Sequence, residues 1–517
     1  MGMGEQGFDG DEKRQLQMAK LKQPEEWGVM TGGLKTTGRL AIAAMFCAIG
    51  GMPGVGGQAE AADLGGDCCA DLEERVAELE ATTVRKGNKK VKVEFYGQVN
   101  RVGNFWDDGA EQNVYLLNNS YSSTRFGFRG KAKVSDNWSS GFQIEIEDEG
   151  NLSKFVSQFD DNPDNGSLNV RRAAIYLDNK NLGKIWLGQQ STAKDDIVKD
   201  TVIIKGLDKT MYADFYMNWS FFLRQKGFNN AEAFSSSTPR FRDIGRCYST
   251  SSSAFDCSTR RQEIRYDTPE FWGFVASANW AEDDAWAAAL RFQKEWDNWK
   301  IGAGYAYEGI TDELLSAGGG GVFFQNFKRD TREWAGMASI IHKPTGLFLW
   351  GANSNSEDAD IGAKGVYTQK GPPVMHAWDI AGGIHRKFFE PGATTMWGGY
   401  TQDQDGLGGF TRTTVSSSVS GTASSYSVWD GEVSAGAFPG IPFKTEITSS
   451  ETTKWYLAVD QAIDSAALNL FMAYQHIEPE ITLVTRDPSF SPTGKLKSVP
   501  ITLDDFDVFF MGGRIAF

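Results

Sequence analysis

The chain has 517 residues, a net charge of −15, 58 glycines, 34 phenylalanines and 16 tryptophans, and no apolar run near the ~18–20 residues of a membrane helix. The acid excess argues against nucleic acid as a partner. The four histidines (His342, His376, His385, His476) lie without metal-ligand spacing, and neither a Gly-rich phosphate loop nor a nucleophile elbow occurs, so an enzyme, a cofactor or a bound metal has little to stand on.

Residues 1–61 read as an N-terminal extension and secretory signal peptide. Lys35 and Arg39 precede the short apolar run Leu40–Ile49, and Ala59-Glu60-Ala61 supplies small residues for cleavage. The exported chain is expected to begin near Ala62. Two starts remain open: Met30, which gives a conventional leader, or Met1, which gives an extended one. Cys47 lies inside the apolar run, the wrong place for a lipoprotein.

Residues 62–90 form a second segment. In Cys68–Thr83, Leu72, Val76 and Leu79 recur at spacings of four and then three among Glu and Arg. That average of 3.5 predicts a short helix with a coiled-coil core, too short to be stable unless the chains are held together elsewhere. The plainer reading is a solvated helical spacer. The adjacent Cys68 and Cys69 either bridge subunits or stay reduced. The basic stretch Arg85–Lys92 leads on and offers a contact for peptidoglycan.

From 91 to 517 the pattern changes to period-2 alternation, the mark of strands with one face in an apolar medium. Val91, Val93, Phe95, Gly97 and Val99 face one way, and Glu94, Tyr96, Gln98 and Asn100 the other. Phe126 and Phe128 oppose Arg125, Arg129 and Lys131, while Phe142, Ile144 and Ile146 oppose Gln143, Glu145 and Glu147. Ala173, Ile175 and Leu177 oppose Arg172, Tyr176 and Asp178, and the chain returns through Lys184–Gln190. Further segments lie near Arg261–Asp267, Phe271–Trp280, Trp286–Trp296, Trp299–Tyr307, Arg332–His342 and Leu347–Asn353. The last five lie near Val374–Arg386, Thr394–Thr401, Thr452–Ala462, Ala467–Gln475 and Asp504–Phe517. The total is about sixteen, an even number, as a bacterial barrel requires. Short turns carrying Asn, Asp, Pro and Gly alternate with mostly long loops.

The longest loop, Ser191–Arg260, begins with the acids Asp195, Asp196, Asp200, Asp208 and Asp214. Its aromatics Tyr212, Phe215, Tyr216, Trp219, Phe221 and Phe222 suit packing against the wall or a neighbouring subunit; a slide for sugar rings is the other reading. Cys247 and Cys257, in the same loop of an exported chain, are expected to form a disulfide. Acids in the outer loops would hold divalent cations with lipopolysaccharide, or simply be solvated. The final strand, Asp504–Phe517, ends on an aromatic. After a secretion signal, that ending points to an antiparallel outer-membrane β-barrel closed by pairing of its last and first strands around Phe517. Both termini then lie in the periplasm.

The segments CCADLEERVAELEATTVRKGNKKV (Cys68–Val91), RYDTPEFWGF (Arg265–Phe274), VDQAIDSAALNLFMAYQH (Val459–His476) and the terminal MGGRIAF together resemble the trimeric porins of alphaproteobacteria. The resemblance implies a homotrimer of 16-stranded all-β barrels in the outer membrane, passing small hydrophilic solutes and ions passively. It also implies that the third external loop, here 191–260, folds inward to narrow the pore. The chain departs from the family in the length of its loops 191–260 and 402–451 and in its tryptophan content. By strand parity Arg125, Arg129, Arg172, Arg265 and Arg291 would face the lumen. Opposite the loop acids they would set up a field that sorts ions, unless they merely pair with Glu145, Glu147 and Glu263. Two rivals stay open: a solute-selective channel, such as one for sugars, and a barrel that tethers the membrane to the cell wall.

Overall fold

The computed structural model describes residues 90–163, 168–198, 219–228, 234, 238–244, 260–282, 284–314, 328–358, 374–405, 411–419, 422–430, 432–433 and 438–517. The signal segment and the coiled-coil positions Leu72, Val76 and Leu79 lie outside these residues. So do Asp200, Asp208, Asp214, Cys247 and Cys257.

The strands in chain order are β1 (Lys92–Asp107), β2 (Gln112–Asn118), β3 (Arg125–Lys133), β4 (Trp138–Asp148), β5 (Leu168–Asn179), β6 (Gly183–Ser191) and β7 (Arg260–Asp267). Then come β8 (Phe274–Ala281), β9 (Trp286–Glu295), β10 (Trp299–Leu314), β11 (Lys328–His342), β12 (Leu347–Asp358), β13 (Val374–Phe389) and β14 (Gly392–Gln404). The last are β15 (Thr411–Val419), β16 (Thr422–Asp430), β17 (Glu432–Val433), β18 (Thr445–Ile463), β19 (Leu468–Thr485), β20 (Lys497–Val499) and β21 (Phe506–Ala516). Among the described residues a short helix, α1 (Phe241–Ile244), interrupts the loop between β6 and β7.

Antiparallel pairings run β1–β3, then strand to strand from β3 to β14, then β14–β18–β19–β21 and back from β21 to β1. That ring holds sixteen strands and has no free edge, and it answers one for one to the sixteen alternating segments of the sequence.

Three features go beyond alternation. The second wall strand is broken: β3 pairs with Lys92–Gln98 of β1, and β2 with Arg101–Asp107 of the same edge. At the break the buried Gln98 donates to the carbonyls of Ser122 and Ser123 (2.8 and 2.9 Å), and Asn100 to that of Ser122 (2.9 Å), satisfying backbone that left the ladder. Two short strands, β17 and β20, extend the edges of β18 and β19, and β15–β16 form a separate hairpin. The third is a bulge in β5. Glu145 pairs with Arg172 but Ile146 with Val170, which leaves Arg171 as the extra residue.

Closure is specified locally. Gln98↔Ala516 through Asp107↔Asp507 are in register, and Gly97 and Phe517 exchange backbone hydrogen bonds of 2.8 and 3.0 Å. The Phe517 ring stacks on Phe95 (5.5 Å), in space that exists because residue 97 is glycine: a Cβ there would lie 2.6 Å from the Phe517 ring.

The outward face is apolar. Phe95, Val99, Phe128, Ile144, Ile175, Leu187, Ile264, Leu290, Leu349 and Leu457 are all exposed. In water each would forgo about 1.5–3 kcal/mol of burial energy, whereas in hydrocarbon the face is matched. One end carries turns of at most six residues, 134–137, 180–182, 268–273, 296–298, 343–346, 390–391 and 464–467. The other end carries the long connections, apart from 108–111 and 282–285.

Candidate functional site

The loop that follows β6 turns inward. Its first stretch, Thr192–Val198, runs along the inner faces of β7 to β11 and is tied there through its backbone. Ala193 N–H donates to Asn279 Oδ1 (2.7 Å). Arg291 donates to the carbonyls of Ala193 and Asp195 (2.8 and 3.0 Å), and Arg265 to those of Ser191 and Thr192 (3.0 and 3.2 Å). Lys194, 1% exposed, lies between Glu333 (2.9 Å) and Glu308 (3.7 Å). Gly304 leaves room for Ile197, since a Cβ on it would stand 2.9 Å from that side chain.

The loop's middle stretch reaches the other side of the barrel. Phe221 packs on Trp106 (5.1 Å) and Phe506 (4.9 Å), and Phe241 of α1 on Phe506 (5.3 Å). Trp219, Phe221 and Phe222 are buried: Phe221 packs against the wall, and Phe222 against Phe159 and Phe234 of the loops. Tyr212, Phe215 and Tyr216 lie outside the described residues. Arg224 and Asp108, 1% and 2% exposed, form an ion pair of 2.8 Å. Around it Lys226 N–H donates to Thr502 O (2.8 Å) and Asp504 N–H to Arg224 O (2.9 Å), joining this loop to the one before β21. Burial raises the Asp504 carboxyl above the ordinary Asp range, with Asp108 and Asp505 pushing the same way and Lys226 and Arg224 opposing. Lys154, in the loop after β4, is held below the ordinary lysine value by burial, with Glu147 and Glu149 opposing.

Between these anchorages stands a basic wall. The β5 bulge turns Arg171 as well as Arg172 inward. Arg171 binds Glu145 and Glu147 (the latter at 3.1 Å), and Arg172 donates to Ser191 Oγ (3.0 Å). Arg125 is paired in register with Glu147 and donates to Ser122 Oγ (2.7 Å). Arg260 faces Asp195 at 3.6 Å. Arg129 stands apart, near the short-turn end, where its Nε donates to Glu94 (2.9 Å). Asp196 adopts a left-handed backbone (φ 62) in the turn that carries the loop onto the wall.

Sequence reasoning did not find Arg171, Lys194, Arg224, Arg260 or Arg261. A bulge is invisible to parity, and the loop's partners have no period to betray them. The one available signal was the run Arg260-Arg261 beside Arg171-Arg172.

A sequence profile described as Gram-negative porin matches residues 59–482. Among solved structures the chain is similar to an anion-selective porin from Comamonas acidovorans, at 13% identity and a TM-score of 0.46, covering 83% of this chain and 100% of that one. It is also similar to OmpT, an outer membrane protein of Vibrio cholerae (14%, TM-score 0.44, 84% and 99% covered). A third is OmpF of Salmonella typhi in complex with daunomycin (11%, TM-score 0.40, 83% and 99% covered). No curated protein matches. The profile match spans most of the chain and agrees with the closed ring and apolar outer face, so this chain belongs to the Gram-negative porin family: it is an integral outer-membrane barrel that forms a channel for passive diffusion.

Proposed function

We propose that the channel is a homotrimer for small hydrophilic solutes and ions, narrowed where Thr192–Val198 crosses the arginine-bearing wall. The observation that carries this is the clamping of that stretch by Arg265, Arg291 and Lys194. A loop held through its own carbonyls cannot swing clear of the lumen without breaking charge-assisted hydrogen bonds. Arg265 and Arg291 therefore anchor the loop, while Arg125 and Arg172 take the role of basic wall facing the acids that begin at Asp195 and Asp196; Asp200, Asp208 and Asp214 would extend that acidic side. Arg129 belongs to a level nearer the short-turn end.

The termini and short turns belong in the periplasm, with the helix over Cys68–Thr83 as a trimeric coil, Cys247 and Cys257 bridged, and lipopolysaccharide and peptidoglycan as neighbours on the two sides. Family membership supports this arrangement, and the reading includes no enzymatic step. The burial of Trp219, Phe221 and Phe222 favours packing over a sugar slide for these three rings.

The experiment is a comparison of single-channel conductance between the wild type and Arg265→Gln/Arg291→Gln. Releasing the clamps should raise the conductance and its noise. An unchanged step in the folded double variant would remove this stretch from the constriction.

A further inference from the structure

The basic wall holds more positive charge than its partners use. Arg171 occupies Glu145 and Glu147, and Arg260 faces Asp195. Arg125, Arg172 and Arg261 complete the group, which among the described residues makes five arginines against three carboxylates. Glu263, the next inward residue on β7, stands toward Arg265, Glu308, Asp195 and Asp267.

The excess has a location. Gln190 and Arg261 are direct cross-strand partners on β6 and β7. The neighbouring pair Ala173↔Gln189 brings Arg172 of β5 level with Gln190. Arg172, Gln190 and Arg261 thus form a row on the inner face, with about 5 Å between successive strands. Within it, buried donors stand without acceptors: Arg172 Nε, Gln190 Nε2 and Arg261 Nε, with Arg260 Nε beside them. Gln190 is only 7% exposed, and its unused amide N–H pair is a neutral addition to the charge. Buried donors are seldom left unpaired, because burial strips their water without returning a hydrogen bond. As whole residues Arg172 and Arg261 are only partly buried, on the face of the wall turned toward the lumen. Planar guanidinium forks and an amide presented together match the oxygens of a tetrahedral or planar oxyanion, and the net charge calls for two negative charges.

We propose that the Arg172–Gln190–Arg261 row, with Arg125 and Arg260 beside it, is a binding subsite for solutes that carry a dianionic oxyanion group, of the kind a phosphate monoester presents. The chain's overall acidity does not oppose this, because affinity at a pore wall is set by the charges within a few ångströms. The subsite rests on the channel reading and refines it: the same wall that sorts ions retains one class of them.

The test is ion current through the purified full-length protein in a planar bilayer in KCl, with inorganic phosphate added at a pH where it is doubly charged. Phosphate should block the current saturably, and less as acidification removes its second charge. Arg172→Gln/Arg261→Gln should raise the half-blocking concentration about tenfold or more. Gln190→Leu, which changes no charge, should raise it about threefold. Arg101→Gln, on the lipid-facing side, should leave it unchanged. Clear KCl steps that phosphate does not touch would overturn the subsite and leave the channel reading standing; so would a block unaltered in both folded variants. If the double variant fails to insert, Gln190→Leu decides alone. Absence of KCl steps from folded wild type would overturn the channel reading and the subsite with it.

Discussion

Arg224 carries the far end of the inturned loop. Its guanidinium is buried against Asp108, with Glu111 at 3.6 Å, and lies 4.5 Å from the Phe234 ring, so the charge has been taken out of water and depends chiefly on the Asp108 carboxylate. Removing one member of such a pair typically costs about 3–5 kcal/mol, because the other charge is stranded. Arg224→Met should therefore release the stretch 219–228 and speed its cleavage by added protease, while Arg224→Met/Asp108→Asn should recover part of the loss. Equal cleavage rates in wild type and single variant would show that the pair holds nothing. Alternation says which side of a strand a residue takes, and so reaches Arg125, Arg172, Arg265 and Arg291. It cannot say that two of these spend their donors on loop carbonyls, because those partners come from a segment without period.

At the scale of elements, the wall was the legible part and its additions were not. The sixteen alternating segments are the ring strands, since each must show one face to hydrocarbon. Past the membrane that requirement lapses. This is why β10 runs on to Leu314, β18 begins at Thr445 and β19 ends at Thr485, all beyond their alternating cores. The same reason hides β2, whose role as the upper half of a broken strand rests on polar bonds from Gln98 and Asn100.

Two predictions belong to these elements. Deleting Phe517, or replacing Gly97 by Val, removes the last closing contact, and either change should lower the yield of heat-modifiable folded barrel by severalfold. Normal yields from both would show that closure is specified elsewhere. The second concerns the junction of residues 224–226 with 502–504. Asp504 has a raised carboxyl in the fold, so the native state binds its proton more tightly than the unfolded chain does. Stability tied to it is then present at low pH and is lost as pH rises from the unfolded value of 3.8 through the raised one. Asp504→Asn should make the junction more protease-resistant at pH 7 and indistinguishable from wild type at about pH 3. Weaker resistance at pH 7 would reverse the sign.

For the whole molecule, an aromatic-rich closed ring with an apolar exterior is the only arrangement in which these strands satisfy their backbone groups within a membrane. The interior is where this chain is particular. Among the described residues one side carries arginines in excess of their carboxylates, and the inturned loop is fastened to two sides of the lumen by buried ion pairs. The most direct measurement is the single-channel conductance of the purified, heat-modifiable protein in a planar bilayer. Discrete, ohmic steps in KCl are expected, with a reversal potential in a salt gradient that shifts toward cations when Arg172 and Arg261 are neutralised. Folded protein that inserts and carries no current would contradict the channel itself.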